Sequence, residues 1–331
     1  MLSSSKKKLK DIRTYLSGPL DEVTSLMAAS LRTNISLLGK TNGGLLGERG
    51  KMMRPILCLL AAGALGKINS DTVHYAAASE LLHNATLLHD DVVDGASVRR
   101  GKPTVGAILG PRASVLVGDF WLVKAVSCIQ ETSDKGSKVM SIFSKTLSDL
   151  TEGEMLQMEK AFGHNTTQED YIRIIYCKTA SLFESAAVSG ALSVGASKDQ
   201  VDAMGCFARN LGIAFQIKDD ILDYLPSDAL GKPSGIDLLE QKITQPLLSV
   251  LEVLSEEDAA AVRESIGRIP SEPEIAVSLR EKVVEAGGVE KAAAVMDSYI
   301  ENALLCLEGV PESKEKSYLA RLARYVGERD F

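Results

Sequence analysis

Apolar residues recur at three- and four-residue spacing through most of this chain, and nowhere does a period of two persist long enough for a sheet. That spacing lines one face of an α-helix, so packed helices are the architecture the sequence allows. It predicts helices near 6–35, 54–65, 70–94, 112–130, 134–161, 168–195 and 198–225, with shorter ones broken at Pro246, Ile269-Pro270, Glu272-Pro273, Gly287-Gly288 and Pro311. Composition agrees. Apolar residues make up 45% of the chain but aromatics only 5%, whereas strands draw on β-branched and aromatic side chains. The 331 residues suffice for a large core, and no Pro/Gly/Ser-rich linker divides them. The expectation is an all-α single domain over residues 1–331, its first 35 residues forming an N-terminal helix.

A formal charge of −7 speaks against nucleic acid as a partner, because neutralising a phosphate backbone takes a basic face. The basic start, Lys6-Lys7-Lys8 with Lys10, leads into no apolar signal-peptide core. The longest apolar run, Ile56 to Leu65, contains Gly63 and is too short for a transmembrane segment. Five scattered cysteines, Cys58, Cys128, Cys177, Cys206 and Cys306, form no C-x-x-C pair. They read as buried thiols in a reducing cytoplasm, not as a disulfide framework or a zinc site.

One short pattern occurs twice: Asp90-Asp91-Val92-Val93-Asp94 and, 129 residues later, Asp219-Asp220-Ile221-Leu222-Asp223. On a helix, residues four apart differ by about 40° in direction and about 6 Å along the axis, so the first and third carboxylates share a face. A single such cluster reads as a solvated helix face. Here the flanks are apolar, Leu87-Leu88 before the first and Phe215, Ile217, Ile221 and Leu222 around the second, which points the carboxylates into a cavity. Two facing carboxylate rows suit hard cations, and Mg²⁺ takes one or two carboxylates plus substrate phosphates. Calcium-binding loops need a glycine-centred loop with other spacings and are excluded.

Cationic partners for a metal-bound diphosphate are at hand. Lys51 and Arg54 stand at a helix start, where free backbone N–H groups favour anions. Arg99, Arg100 and Lys102 follow Gly95, which ends the helix of the first cluster. Lys178-Thr179 lies in an otherwise apolar helix, so its charge needs a partner. His83 precedes Asp90 by two helical turns and Gln216 precedes Asp220 by one, and both can reach the site. The tract Gly231-Lys232-Pro233-Ser234-Gly235, with Asp237, reads as a mobile loop near the second cluster.

Taken together, these segments resemble the trans-prenyltransferases, or polyprenyl diphosphate synthases, over roughly residues 40 to 330. The resemblance is carried by Glu80 to Asp94, by Arg99-Arg100-Gly101-Lys102-Pro103-Thr104, by Val117-Gly118-Asp119-Phe120, by Lys178-Thr179-Ala180 and by Gly212 to Tyr224. Two departures stand out. The usual Gly-Lys-[Arg/Lys]-[Leu/Ile/Phe]-Arg-Pro element ends here in Lys51-Met52-Met53-Arg54-Pro55, and Gly-Lys-x-Thr-x-Pro reads Gln241-Lys242-Ile243-Thr244-Gln245-Pro246.

The resemblance implies an isoprenoid-synthase-type helical bundle around a deep central cavity, as a homodimer. It implies that Asp90, Asp91, Asp94 and Asp219, with Asp220 and Asp223 less directly, hold about three Mg²⁺ on an allylic diphosphate. Arg99, Lys178, Thr179, Gln216 and Lys232 would contact that diphosphate, and Lys51, Arg54, His83 and Arg100 would hold isopentenyl diphosphate. Asp90, Asp94, Asp219 and Lys178 would bear most directly on ionisation. No protein base is needed, because departing pyrophosphate can take the final proton. A class I terpene cyclase would lack the Lys51, Arg54 and His83 set, and a non-catalytic subunit would lose an aspartate cluster or basic ligands. For product length, Thr86 and Ala85, four and five residues before Asp90, are not the aromatic floor of short-chain members. The expectation is a hexaprenyl to decaprenyl product, with a farnesyl or geranylgeranyl product as the alternative and Leu82, Met155 and Leu156 as candidate deeper residues.

Overall fold

The computed structural model describes residues 4–47, 50–133, 137–225 and 235–329, and helix dominates them. The N-terminal stretch expected as one helix is two, α1 (Ser4–Tyr15) and α2 (Ser17–Ser30). Pro19 explains the break. It has no N–H to donate and its ring clashes with the carbonyl four residues back, so it fits only in a first turn. A third helix, α3 (Ser36–Gly47), escaped the periodicity reading. Its glycines each weaken a helix by about 1 kcal/mol. Tertiary contacts hold it instead, through buried Asn42, which donates to the Leu31 carbonyl at 3.0 Å and accepts from Trp121 Nε1 at 2.9 Å.

Beyond Arg54, helix α4 (Met53–Leu65) is apolar all round, and every residue from Ile56 to Ala62 is fully buried, as a central helix must be. Asn69 and Thr72 form a capping box that starts α5 (Ser70–Val93). A two-stranded hairpin, β1 (Val98–Arg99) and β2 (Lys102–Pro103), follows as a small exception to the helical plan. Helices α6 (Val105–Leu109), α7 (Pro111–Gln130), α8 (Ser137–Gly163) and α9 (Gln168–Ile175) come next. One turn of π-helix, Tyr176–Ala180, then joins α9 to α10 (Ser181–Ser193), where the sequence suggested one continuous helix.

After α11 (Lys198–Asp223) come α12 (Ile236–Leu239), α13 (Gln245–Leu251), α14 (Glu256–Arg268), α15 (Glu274–Glu285), α16 (Gly288–Cys306) and α17 (Lys314–Glu328). Pro246 opens α13. In the packing, α5 lies on α7, α10 on α4 and α11, and α11 on α16, while α17 closes over α4 and α1. The core is built from Leu57, Leu60, Leu81, Leu82, Trp121, Phe183 and Phe207, all 2% exposed or less.

Two expectations change. Cys206 on α11 and Cys306 on α16 form a disulfide with Cα atoms 5.9 Å apart, so not all five cysteines are free thiols. Cys58, Cys128 and Cys177 are free and buried, as read from the sequence. Helix α7 is long and apolar enough to cross a membrane by length and composition, although here it packs against α5.

Candidate active site

Both aspartate clusters sit in the last turn of a helix, the first on α5 and the second on α11, and neither last turn carries a basic residue. A helix C-terminus already presents negative partial charge, so three carboxylates there are unfavourable without cations to neutralise them. Gly95, at φ +61°, ends α5 in a Schellman turn: Ala96 N–H donates to the Asp91 carbonyl at 2.9 Å and Gly95 N–H to Val92 at 3.3 Å. The hairpin then folds back. Arg100 and Gly101 both take positive φ, 53° and 77°, as a two-residue type I′ turn requires. Arg99 thereby reaches buried Asp91, Nε donating to Oδ1 at 2.5 Å.

Asp91 is thus paired with the hairpin, while Asp90 and Asp94 lie within electrostatic reach of Glu154 and Lys178. Burial, then the Glu154 and Asp94 carboxylates, raise Asp90 to about 6 against the pull of Lys178 and Arg99. Asp94 is raised as well, by burial and then by Glu240 and Glu154, with Lys242 and Lys178 opposing.

The three aspartates of α11 differ sharply. Asp219, 41% exposed on its side chain, pairs with Arg329 Nη2 at 2.7 Å. Asp220 is buried and accepts from Tyr171 Oη at 2.6 Å and Gln216 Nε2 at 2.9 Å. Burial and the two flanking aspartates push it up to about 7, although both hydrogen bonds oppose this. Asp223 caps α12, its two oxygens accepting from Ile236 N–H at 3.2 Å and Asp237 N–H at 3.1 Å. Among the described residues, Asp219 is therefore the carboxylate of this cluster whose competing partner is one ion pair.

Lys178 and Thr179 project from the π turn. That turn is gripped between glycines: a Cβ on Gly212 would stand 2.5 Å from Ala180 Cα, and one on Gly153 2.5 Å from Cys177 Cβ. The wider turn shifts the side chains that follow it, a device frequent at functional sites. Lys178 Nζ lies 2.5 Å from Glu154 Oε2 and 3.0 Å from Gln157 Oε1. Thr179 Oγ1 donates to Gln216 Oε1 at 2.8 Å. Lys178, Gln216, Asp220, Tyr171, Asp237 and Lys242 all line one cavity of about 190 Å³.

The second basic group assembles around α4 and α5. A Cβ on Gly50 would stand 2.9 Å from Arg100 Nη1, so the missing side chain lets the hairpin arginine lie across the approach to α4. Arg54 lies 5.0 Å from the Phe183 ring centroid, and its Nε has no hydrogen-bond partner among the described residues. Burial lowers it to about 10. Burial, then Arg54, Arg100 and Arg99, hold His83 well below its usual range, so it is neutral. Lys51 instead lines a separate, open cavity of about 550 Å³ with Lys10, Arg13 and Tyr325. Lys232 lies outside the described residues.

Several residues at the site were not picked out from the sequence. Glu154 and Gln157 stand three apart on α8, a polar pair that helical spacing could have flagged. Lys242, which forms an ion pair with Glu240, has no spacing in its 241–246 segment that marks it as a cavity residue. Tyr171 and Arg329 carried no local signal, since one reads as a core aromatic and the other follows the last helix. The Gly-to-Gln departure also has a structural consequence. Gln241 sits at φ +58°, a conformation glycine takes freely, held by donation from its amide to the Ile266 carbonyl at 3.1 Å.

Product-length candidates divide. Ala85 is buried, and its carbonyl lies 3.2 Å from where a Cβ on Gly118 would stand, so α5 and α7 meet almost backbone to backbone there. Its small size serves that contact. Thr86 is half-buried on the Asp90 face, whereas Met155 is 62% exposed and forms no cavity floor within the chain.

Among the described residues, no three His, Cys, Asp or Glu side chains form a metal cage by themselves. Asp90, Asp94 and Asp219 suit cations shared with diphosphate oxygens, since Mg²⁺ keeps few protein ligands and each stands at a helix C-terminus that carries no basic residue in its last turn. An all-helical bundle with two aspartate rows and a lysine-lined cavity defines the isoprenoid-synthase fold. The chain belongs to the polyprenyl synthetase family, whose model matches residues 36–283, and is accordingly a trans-polyprenyl diphosphate synthase, a prenyltransferase. It is 34% identical over 327 residues to the octaprenyl diphosphate synthase of Escherichia coli, covering 97% of this chain and 99% of that protein. A decaprenyl diphosphate synthase from Rhodobacter capsulatus superposes with a TM-score of 0.90 at 32% identity, covering 98% of this chain and 99% of that one. A polyprenyl synthase from Caulobacter crescentus, complexed with calcium and isoprenyl diphosphate, gives 0.89 at 32% identity, covering 98% of both chains.

Proposed function

We propose that this synthase joins isopentenyl diphosphate to an allylic diphosphate repeatedly, to a long all-trans product of hexaprenyl to decaprenyl length. The observation that carries the reaction is the pair of aspartate-ended helices with Lys178 and Lys242 lining the cavity beside them. Asp90, Asp94 and Asp219 are the carboxylates for Mg²⁺, about three ions being shared with the allylic diphosphate. When bound, Mg²⁺ supplies positive charge to the leaving diphosphate. Lys178, with Thr179, Gln216 and Lys242, holds the same group, and Lys232 joins them from the segment outside the described residues. Arg54, neutral His83 and Arg100 receive isopentenyl diphosphate. The unpaired Arg54 Nε and the hairpin placement of Arg100 support that division, whereas Lys51 would have to turn from its present cavity.

The chemistry then needs little else. The allylic C–O bond breaks and its electron pair leaves with pyrophosphate, whose charge the cationic side chains stabilise. The alkene of isopentenyl diphosphate forms the new C–C bond to the allylic carbon. The adjacent C–H proton passes to pyrophosphate, which restores the double bond. The apolar part of the cavity wall, Ala161, Ile174, Ile175 and Ile243, keeps water from the cation.

Length is read from Thr86, a small residue on the Asp90 face where an aromatic ring would block a growing chain. The exposed apolar residues Ile108, Leu116 and Val123 around α7 suit a homodimer interface. The deciding experiment supplies the purified chain with both diphosphates and Mg²⁺, then extracts and sizes the product. A farnesyl or geranylgeranyl product would overturn the length. No turnover would instead favour a subunit that needs a different partner chain.

A further inference from the structure

The second aspartate cluster contains a hydrogen-bonded relay that metal binding does not require. Thr179 Oγ1 donates to Gln216 Oε1 at 2.8 Å, Gln216 Nε2 donates to Asp220 Oδ1 at 2.9 Å, and Tyr171 Oη donates to Asp220 Oδ2 at 2.6 Å. Tyr171 is 3% and Asp220 4% exposed, so water does not replace either partner. The direction of each bond follows from donor chemistry. Both Asp220 oxygens accept, one from Tyr171 and one from the Gln216 amide nitrogen, and turning that amide over would break its bonds to Asp220 and Thr179 together. Thr179 fixes the other end, because its hydroxyl needs the amide oxygen. Gln216 is left with a second N–H at the wall of the cavity it shares with Lys178 and Lys242.

We propose that Tyr171 is a positioning residue for the allylic diphosphate: through Asp220 it locks the Gln216 amide so that the second N–H meets a diphosphate oxygen. This rests on the synthase reading above. Without the tyrosine hydroxyl, Asp220 keeps Gln216 as its one side-chain donor among the described residues and can turn toward the cavity, and the amide loses its fixed orientation. The Tyr171 hydroxyl is committed to Asp220, so it acts on the diphosphate through this chain of bonds.

The test is Tyr171→Phe, which removes one oxygen and keeps the ring. Each diphosphate is varied in steady-state kinetics, and Mn²⁺ binding with inorganic pyrophosphate is followed by electron paramagnetic resonance. The KM for the allylic substrate should rise about tenfold, with kcat lowered less than about threefold. The KM for isopentenyl diphosphate and the Mn²⁺ affinity should stay within about twofold. Gln216→Leu should show the same allylic defect, and the double variant should be no worse than Gln216→Leu alone, because both remove one N–H contact. Additive defects, equal effects on both substrates, or Mn²⁺ binding weakened as in Asp219→Ala would each overturn the proposal. A wild type that turns over beside an unaffected Tyr171→Phe would also overturn it. A wild type without turnover would overturn the synthase reading instead.

Discussion

Asp219, Asp220 and Asp223 share one motif but not one environment, and their substitutions should separate accordingly. Among the described residues, Asp219 has the Arg329 ion pair to release. Asp219→Ala, like Asp90→Ala, should cut turnover at least about a hundredfold with the fold intact, as loss of electrostatic stabilisation does. Asp223→Ala should lower stability by about 1 kcal/mol, the scale of a lost N-cap, with a smaller loss of turnover. Thermal unfolding alongside steady-state kinetics distinguishes the two. Asp90 also has a pH signature. Its pKa of about 6 in the fold exceeds the ordinary 3.8, so between those values the folded chain holds a proton that the unfolded chain has lost. Stability from this group therefore falls as pH rises through that window. His83, lowered below 6.5, works in the opposite sense. The clean measurement is the stability difference between wild type and Asp90→Asn, which should move in favour of the variant from about pH 4 to about pH 6.

At the scale of elements, backbone approach decides where the cationic groups stand. Gly212→Ala would raise intrinsic helix propensity by about 1 kcal/mol, yet its Cβ would stand 2.5 Å from Ala180 Cα. Overpacking should win, with a net loss of about 1–3 kcal/mol in denaturant unfolding and a raised KM for the allylic substrate as the π turn is displaced. The Arg100-Gly101 turn behaves similarly. Gly101→Ala meets no neighbour but must hold φ +77°, so it should cost about 1 kcal/mol and weaken the grip of Arg99 on Asp91. Helix α5 and its ending at Gly95 were legible from spacing and a single glycine. Helix α3 was not, because its glycine-rich sequence argues against helix and buried Asn42 overrides it from outside.

For the whole molecule, the Cys206–Cys306 bridge spans 100 residues and ties α11 to α16. Its reduction, or Cys306→Ser, should lower unfolding free energy by about 2–4 kcal/mol, seen as a shift in the denaturant midpoint. If the exposed apolar face of α7 is the proposed homodimer contact, Leu116→Glu or Val123→Glu should shift the chain from dimer to monomer in sedimentation, by placing a charge on that face. The sequence by itself determined the helical class, the two aspartate rows and their i, i+4 spacing, the arginines after Gly95 and the family resemblance. All of these are properties of short segments, where periodicity and side-chain chemistry act locally. Only the tertiary structure decided that Arg329 reaches Asp219, that Tyr171 serves Asp220, that Lys178 rides on a π turn and that Lys51 faces another cavity. Each depends on how helices distant in sequence pack, and that is set by the summed fit of side chains across interfaces, which no single segment encodes.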